Sequence, residues 1–204
     1  MSVKKTIKKW KKYSEISGVA AITRRYFVMN AFDGALTMLG VVIGAFVSGI
    51  PEPMIIISAG VAGSIAMGAS GMSGAYMTEK AERTKKIKDL EKAMLTDMSN
   101  GLHDRSHKFA TKFAAFVDGV SPAIAAMIVI SPFFLVNFGI LDLNLAFYIC
   151  IGLTLSILCI LGIYLAKICD ESMLIYGIQM LIVGIVTALI CVGTSILLGG
   201  HITI

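Results

Sequence analysis

Asp33 and Asp118 both lie inside stretches of sequence that are otherwise apolar. An acid at the centre of a hydrocarbon layer costs about 2.5–3.5 kcal/mol on insertion scales, so such groups usually face a cavity, an ion path or a partner. Asn30, Asp33 and Thr37 fall at i, i+3 and i+7 and therefore share one helix face. That face continues through Gly40 and Gly44, a GxxxG pair that lets two helices approach closely, and Met29 places a thioether beside it. Two copies of this helix meeting at a two-fold axis would set two Asp33 carboxylates across a shared path.

Around Asp118 the pattern is different. Gly119, Ser121 and Pro122 follow it, and a proline in a helix frees the carbonyl four residues back, which here is that of Asp118 itself. A carboxylate, a freed carbonyl and a hydroxyl are hard ligands suited to a divalent cation. Pro132 predicts a second kink. Phe32-Asp33-Gly34 and Val117-Asp118-Gly119 echo each other, as a weak parallel repeat would. Met67, Met72 and Met77 stand among glycines and serines, and soft thioethers help select transition metals. Glu79 and Glu82 lie three residues apart. His103 and His107, flanking Asp104, have a spacing that can hold a metal on one helix face, although solvated surface histidines have the same spacing. Cys150, Cys159, Cys169 and Cys191 sit in or beside apolar runs without ligand-like spacing and read as small apolar groups, with no disulfide framework.

The elements that must position these residues follow from hydropathy. Five apolar blocks, 26–49, 53–78, 113–136, 143–166 and 172–199, are each long enough to cross a hydrocarbon layer about 30 Å thick as a helix. Continuous apolar runs exclude the alternating strands of a membrane barrel. Of the eighteen Lys and Arg residues, eight precede the first block, nine lie between the second and third, and Lys167 lies between the fourth and fifth. Short cationic loops stay cytoplasmic. The expected fold is thus an all-α polytopic membrane protein with five transmembrane helices, N-terminus inside and C-terminus outside. Segment 1–25 is a basic amphipathic stretch, with Val3, Ile7 and Trp10 at helical spacing for the inner leaflet. Segment 26–78 holds helices 1 and 2, and 79–112 forms a short charged helical loop that Asn100-Gly101 breaks in two. Segment 113–199 holds helices 3 to 5, and 200–204 is an outside tail. The first apolar run is too long for the core of a cleavable leader and contains Asp33, so no leader is expected.

Composition agrees. Apolar residues make up 56% of the 204 and charged ones 15%, with a mean hydropathy of +0.82, which excludes a soluble globular enzyme, a disordered chain and a fibre. The formal charge of +5 is explained by topology, and no nucleic-acid partner is implied. No HExxH, nucleophile motif or cofactor loop points to an enzyme, and no resident cofactor is expected.

Arg25-Tyr26-Phe27 followed by Phe32-Asp33-Gly34-Ala35-Leu36-Thr37 resembles the first-span motif of the vacuolar iron transporter family, the iron and manganese transporters of yeast and plant vacuoles and their prokaryotic relatives. Ser70-Gly71-Met72-Ser73-Gly74-Ala75-Tyr76 is similar to its second-span motif, Ser-Met-Ala-x-Gly-Glu-Tyr, and Asp118-Gly119 with Pro122 to its third-span pattern. The resemblance implies a homodimer that moves Fe²⁺ or Mn²⁺ out of the cytoplasm in exchange for protons, with the first spans lining the path and Asp33 as a transport residue. It also implies metal-binding acids in the inner loop, for which Glu79, Glu82, Glu91, Asp104 and His107 are the candidates. Aligned on Gly74-x-Tyr76, the family's methionine falls on Gly71 and its glutamate on Ala75, leaving Met72 one residue away and Glu79 one turn away as substitutes. The expected location is the cell membrane in a prokaryote or a vacuole-type membrane in a eukaryote. A passive divalent-cation channel and a membrane scaffold with structural aspartates are the alternatives.

Overall fold

The computed structural model describes residues 18–49, 52–95 and 101–198. The basic segment containing Trp10 and the tail 200–204 lie outside the described residues. The described chain forms five helices: α1 (Val19–Val47), α2 (Pro53–Met94), α3 (Leu102–Asn137), α4 (Leu143–Cys169) and α5 (Met173–Leu197). Each is long and apolar enough to cross a membrane. The protein is therefore an integral, multi-pass membrane protein.

The helix ends follow from local chemistry. Pro53 opens α2, where a missing N–H costs nothing. Gly139 closes α3 at φ +72°, with its N–H on the Val136 carbonyl at 2.9 Å and that of Ile140 on Leu135 at 3.0 Å. This pair of bonds satisfies carbonyls that the helix end would otherwise orphan. Asp170 closes α4 in the same left-handed region without a glycine, and the Glu171 N–H reaches the Ala166 carbonyl.

At 1.5 Å per residue, the 42 residues of α2 extend about 63 Å, twice the hydrocarbon thickness. The charged stretch after residue 78 is therefore a continuation of the second span, in the same helix, and α3 begins with a matching polar extension. α3 carries Pro122 and Pro132 without interruption.

The chain divides into two compact units. One comprises the first turns of α1 up to Phe27, α2 from Gly68 and α3 up to Val120. In it, Val19 of α1 is buried with Ala110 and Ala114 of α3, and Ile22 and Tyr26 pack beside them. The other holds the rest of α1, α2 and α3 together with α4 and α5. Its core takes Ala31, Ala35, Met38, Val42 and Ala45 from α1, a heptad stripe, against Ile130 and Phe133 of α3 and Phe147 and Cys150 of α4. Phe147 meets Phe46 and Phe133 with ring centroids 4.9 and 5.0 Å apart. In α5 the buried residues are Gly177 and Gly184, and Leu174, Ile178, Ile182, Ile185 and Leu189 form an exposed stripe for lipid.

Small residues set the closest helix approaches, as expected where apolar burial alone does not drive helices together. A Cβ at Gly34 would collide with the Pro122 carbonyl oxygen and stand 2.6 Å from its Cα, so α1 and α3 touch backbone to backbone there. Gly162 lies equally close to α5, 2.6 Å from the Tyr176 carbonyl oxygen by the same measure. Backbone cannot yield as a flexible side chain can. Gly34→Ala is expected to cost about 1–3 kcal/mol, read as a lowered unfolding midpoint in detergent. Gly152→Ala, where nothing lies within 4 Å of the new carbon, should be neutral or mildly stabilising. Equal midpoints for the two variants would contradict the packing.

Candidate functional site

The core stripe of α1 leaves the opposite side of that helix uncovered. Met29, Asp33 and Thr37, at i, i+4 and i+8, are all exposed, and Asn30 is half-buried beside them. Among the described residues, Asp33 has no hydrogen-bond or ion-pair partner. A carboxylate, a hydroxyl and a thioether thus stand in one line on the surface of an apolar helix. Further along, Gly40 packs on its own chain, 3.6 Å from Cys191 Sγ of α5 by its virtual Cβ. Gly44 has nothing within 4 Å and borders a groove of about 370 Å³ that Ser48 and Ser195 also line. The two glycines, read together as one seam, therefore have different surroundings.

Asp118 belongs to the other unit and is buried, at 7% exposure. A Cβ on Gly71 would stand 2.8 Å from Asp118 Oδ2, and one on Gly119 would stand 2.5 Å from the Gly68 carbonyl oxygen and 2.9 Å from Met72 Cβ. The departure at position 71 has a physical reason here: the space that a methionine would need is occupied by the Asp118 carboxylate. Met72 is 41% exposed.

The polar extensions of α2 and α3 carry a buried polar chain that the sequence did not reveal. Glu79 and Arg83 are 4% and 5% exposed. Arg83 Nε donates to Glu79 Oε2 at 2.8 Å, and the Tyr26 hydroxyl donates to Glu79 Oε1 at 3.1 Å. Arg83 Nη1 lies 3.1 Å from His107 Nδ1. Both Glu79 oxygens are thus engaged: the carboxylate ties α1 to α2, and Arg83 carries the link on to α3 through His107. The i, i+4 spacing of Glu79 and Arg83 was the readable signal; the partner 53 residues away on α1 was not. Asp104 holds Lys108 at 2.7 Å, Glu82 is exposed and Glu91 half-buried. The side chain of His103 lies outside the described residues. Among the described residues, no three His, Cys, Asp or Glu side chains come together in an arrangement that could hold a metal.

The VIT family pattern matches residues 84–195, more than half of the chain. The chain belongs to the VIT family. Membership points to a membrane transporter of metal ions, and the match includes the third-span motif and covers α3, α4 and most of α5. An uncharacterized protein of the archaeon Methanocaldococcus jannaschii is 38% identical over 172 residues, covering 82% of this chain and 85% of that relative.

The two ion pairs of this VIT protein should differ in worth. Glu79→Gln removes the buried carboxylate charge that Arg83 Nε binds, a loss of about 3–5 kcal/mol. Asp104→Asn breaks a pair whose lysine is 66% exposed, and should cost about 1 kcal/mol or less. Denaturant unfolding in micelles measures both, and similar losses would show that Glu79 is not the tie between helices.

Proposed function

We propose that this VIT protein exports Fe²⁺ or Mn²⁺ from the cytoplasm in exchange for protons, through a path lined by α1 from each of two copies. The single observation that carries the reading is Asp33: an exposed carboxylate without a partner among the described residues, on an apolar transmembrane helix. A second copy covering that face would remove Asp33 from lipid and supply a second carboxylate for the cation.

Asp33 is the primary ligand in this reading. Met29 and Thr37, one turn to either side, offer a thioether and a hydroxyl as the ion moves along the stripe. Thioether sulfur favours transition metals over Mg²⁺ or Ca²⁺. Asn30 supplies an amide at the flank. A carboxylate that holds metal when ionised and a proton when metal has left couples the two flows. Asp118 and Met72 have a supporting role in this reading. Glu79 and Asp104 are already committed to cations of this chain, so the reading rests on α1 and not on the inner acids.

The test is metal flux into proteoliposomes with Fe²⁺, Mn²⁺, Co²⁺ and Zn²⁺, with and without a pH gradient. Asp33→Asn should abolish transport while the protein elutes and unfolds as wild type does, and Asp118→Asn should reduce it less. Wild-type flux in Asp33→Asn would remove the central role, and flux indifferent to the pH gradient would make the protein a channel.

A further inference from the structure

Between the polar extensions of α2 and α3 lies a cavity of about 340 Å³ whose walls are strongly cationic. Lys80 and Arg83 line it from α2, and Lys108 and Lys112 line it from α3, with Asp104 as the only carboxylate among the lining residues. Asp104 is already bound to Lys108 at 2.7 Å, and Glu79, behind the wall, is engaged by Arg83 and Tyr26. Lys80 stands 5.8 Å from the Tyr76 ring centroid, and among the described residues neither it nor Lys112 has a carboxylate partner.

Cationic side chains on a solvated helix normally splay apart, and α2 has acids enough to intersperse with its lysines. Here the cations converge on one concavity from two helices. At its base Arg83 is 5% exposed and held from two sides, by Glu79 on Nε and His107 on Nη1. With Nε and Nη1 engaged inside the protein, Arg83 adds a fixed positive charge to the wall of the cavity. The lysines add point charge, and a concave wall of one sign concentrates the opposite ion. The hydroxyl-bearing Thr84 also lines the cavity. A second groove of about 710 Å³ shares Tyr76, Lys80 and Thr84 with the first and continues along Lys85, Lys88 and Lys92, with Asp89 as a carboxylate among them. The cavity begins at Tyr76, two residues before the apolar part of α2 ends, at the level where aromatic residues mark the membrane border and basic pockets meet lipid headgroups.

We infer that this cavity is a binding site for a phosphate-bearing anion, so that the inner extension takes an anion where metal-gathering acids were expected. The phosphate can come from an anionic lipid headgroup or from a soluble phosphate compound. None of the α1 residues assigned to the metal path takes part.

The experiment compares wild type, the double variant Lys80→Gln/Lys112→Gln, and Lys86→Gln, a control on the same extension that lines neither cavity. The purified full chain is titrated in detergent with inorganic phosphate at ionic strength matched with chloride. It is also reconstituted in vesicles of phosphatidylcholine with and without phosphatidylglycerol, and thermal unfolding is followed in each case. Wild type and Lys86→Gln should be stabilised by phosphate, by phosphatidylglycerol, or by both, beyond matched chloride or neutral lipid. The double variant should need about tenfold more of the same probe. A response to phosphate in detergent identifies a soluble ligand, and a response to phosphatidylglycerol alone identifies a headgroup. No shift with either probe, or an equal loss in Lys86→Gln, would overturn the site.

Discussion

Hydrocarbon does not solvate charge, and the consequences run through the whole protein. Backbone groups are satisfied within helices, and buried hydroxyls such as those of Ser64 and Thr154 return their protons to carbonyls one turn back. Most cations sit at helix extensions or beyond them. Asp33 departs from this economy. It lies on the side of α1 that turns away from the heptad core, and no described side chain of its own chain answers it. Either the cost stands, or something else covers that face. The proposed dimer path is the arrangement that both covers the charge and gives it work.

The two aspartates show how similar local sequence acquires different surroundings. Both are followed by glycine, and in both cases the glycine permits a backbone approach: Gly34 to Pro122, Gly119 to Gly68. At Asp118, however, a further glycine at 71 opens the space that the carboxylate fills, and the acid is enclosed. An enclosed carboxylate suits the positioning of helices or a step reached only on conformational change. An exposed one suits direct contact with an ion.

Most of the architecture was legible because membrane spans are written as length and hydropathy. The five blocks coincide with the five helices, and four of the ten block ends fall within one residue of a helix end: Pro53, Leu143, Ser172 against Met173, and Val136 against Asn137. The larger offsets occur where a helix outlasts its apolar part. α1 starts at Val19 and carries Arg24 and Arg25, and α2 runs sixteen residues past Thr78, because α-helical hydrogen bonding does not stop at the membrane border. What remained hidden was which neighbour each residue meets. Glu79 reads as a metal ligand until Tyr26 and Arg83 are found on its two oxygens, and Gly40 reads as a seam until Cys191 is found against it. Those are tertiary facts, set by helix rotation, to which a periodicity of 3.6 residues is blind. The convergence of Lys80 and Lys112 on one cavity was hidden for the same reason, since the two lie on different helices.

The most direct test of whether a second copy covers the Asp33 face is disulfide trapping one turn away, in native membranes. Thr37→Cys is introduced into a chain whose Cys150, Cys159, Cys169 and Cys191 have been replaced by alanine, with Ile182→Cys on the lipid-facing stripe of α5 as the comparison. Mild oxidation should convert Thr37→Cys to a covalent dimer and leave Ile182→Cys monomeric. A Thr37→Cys chain that stays monomeric, or that cross-links no more readily than Ile182→Cys, would contradict the account.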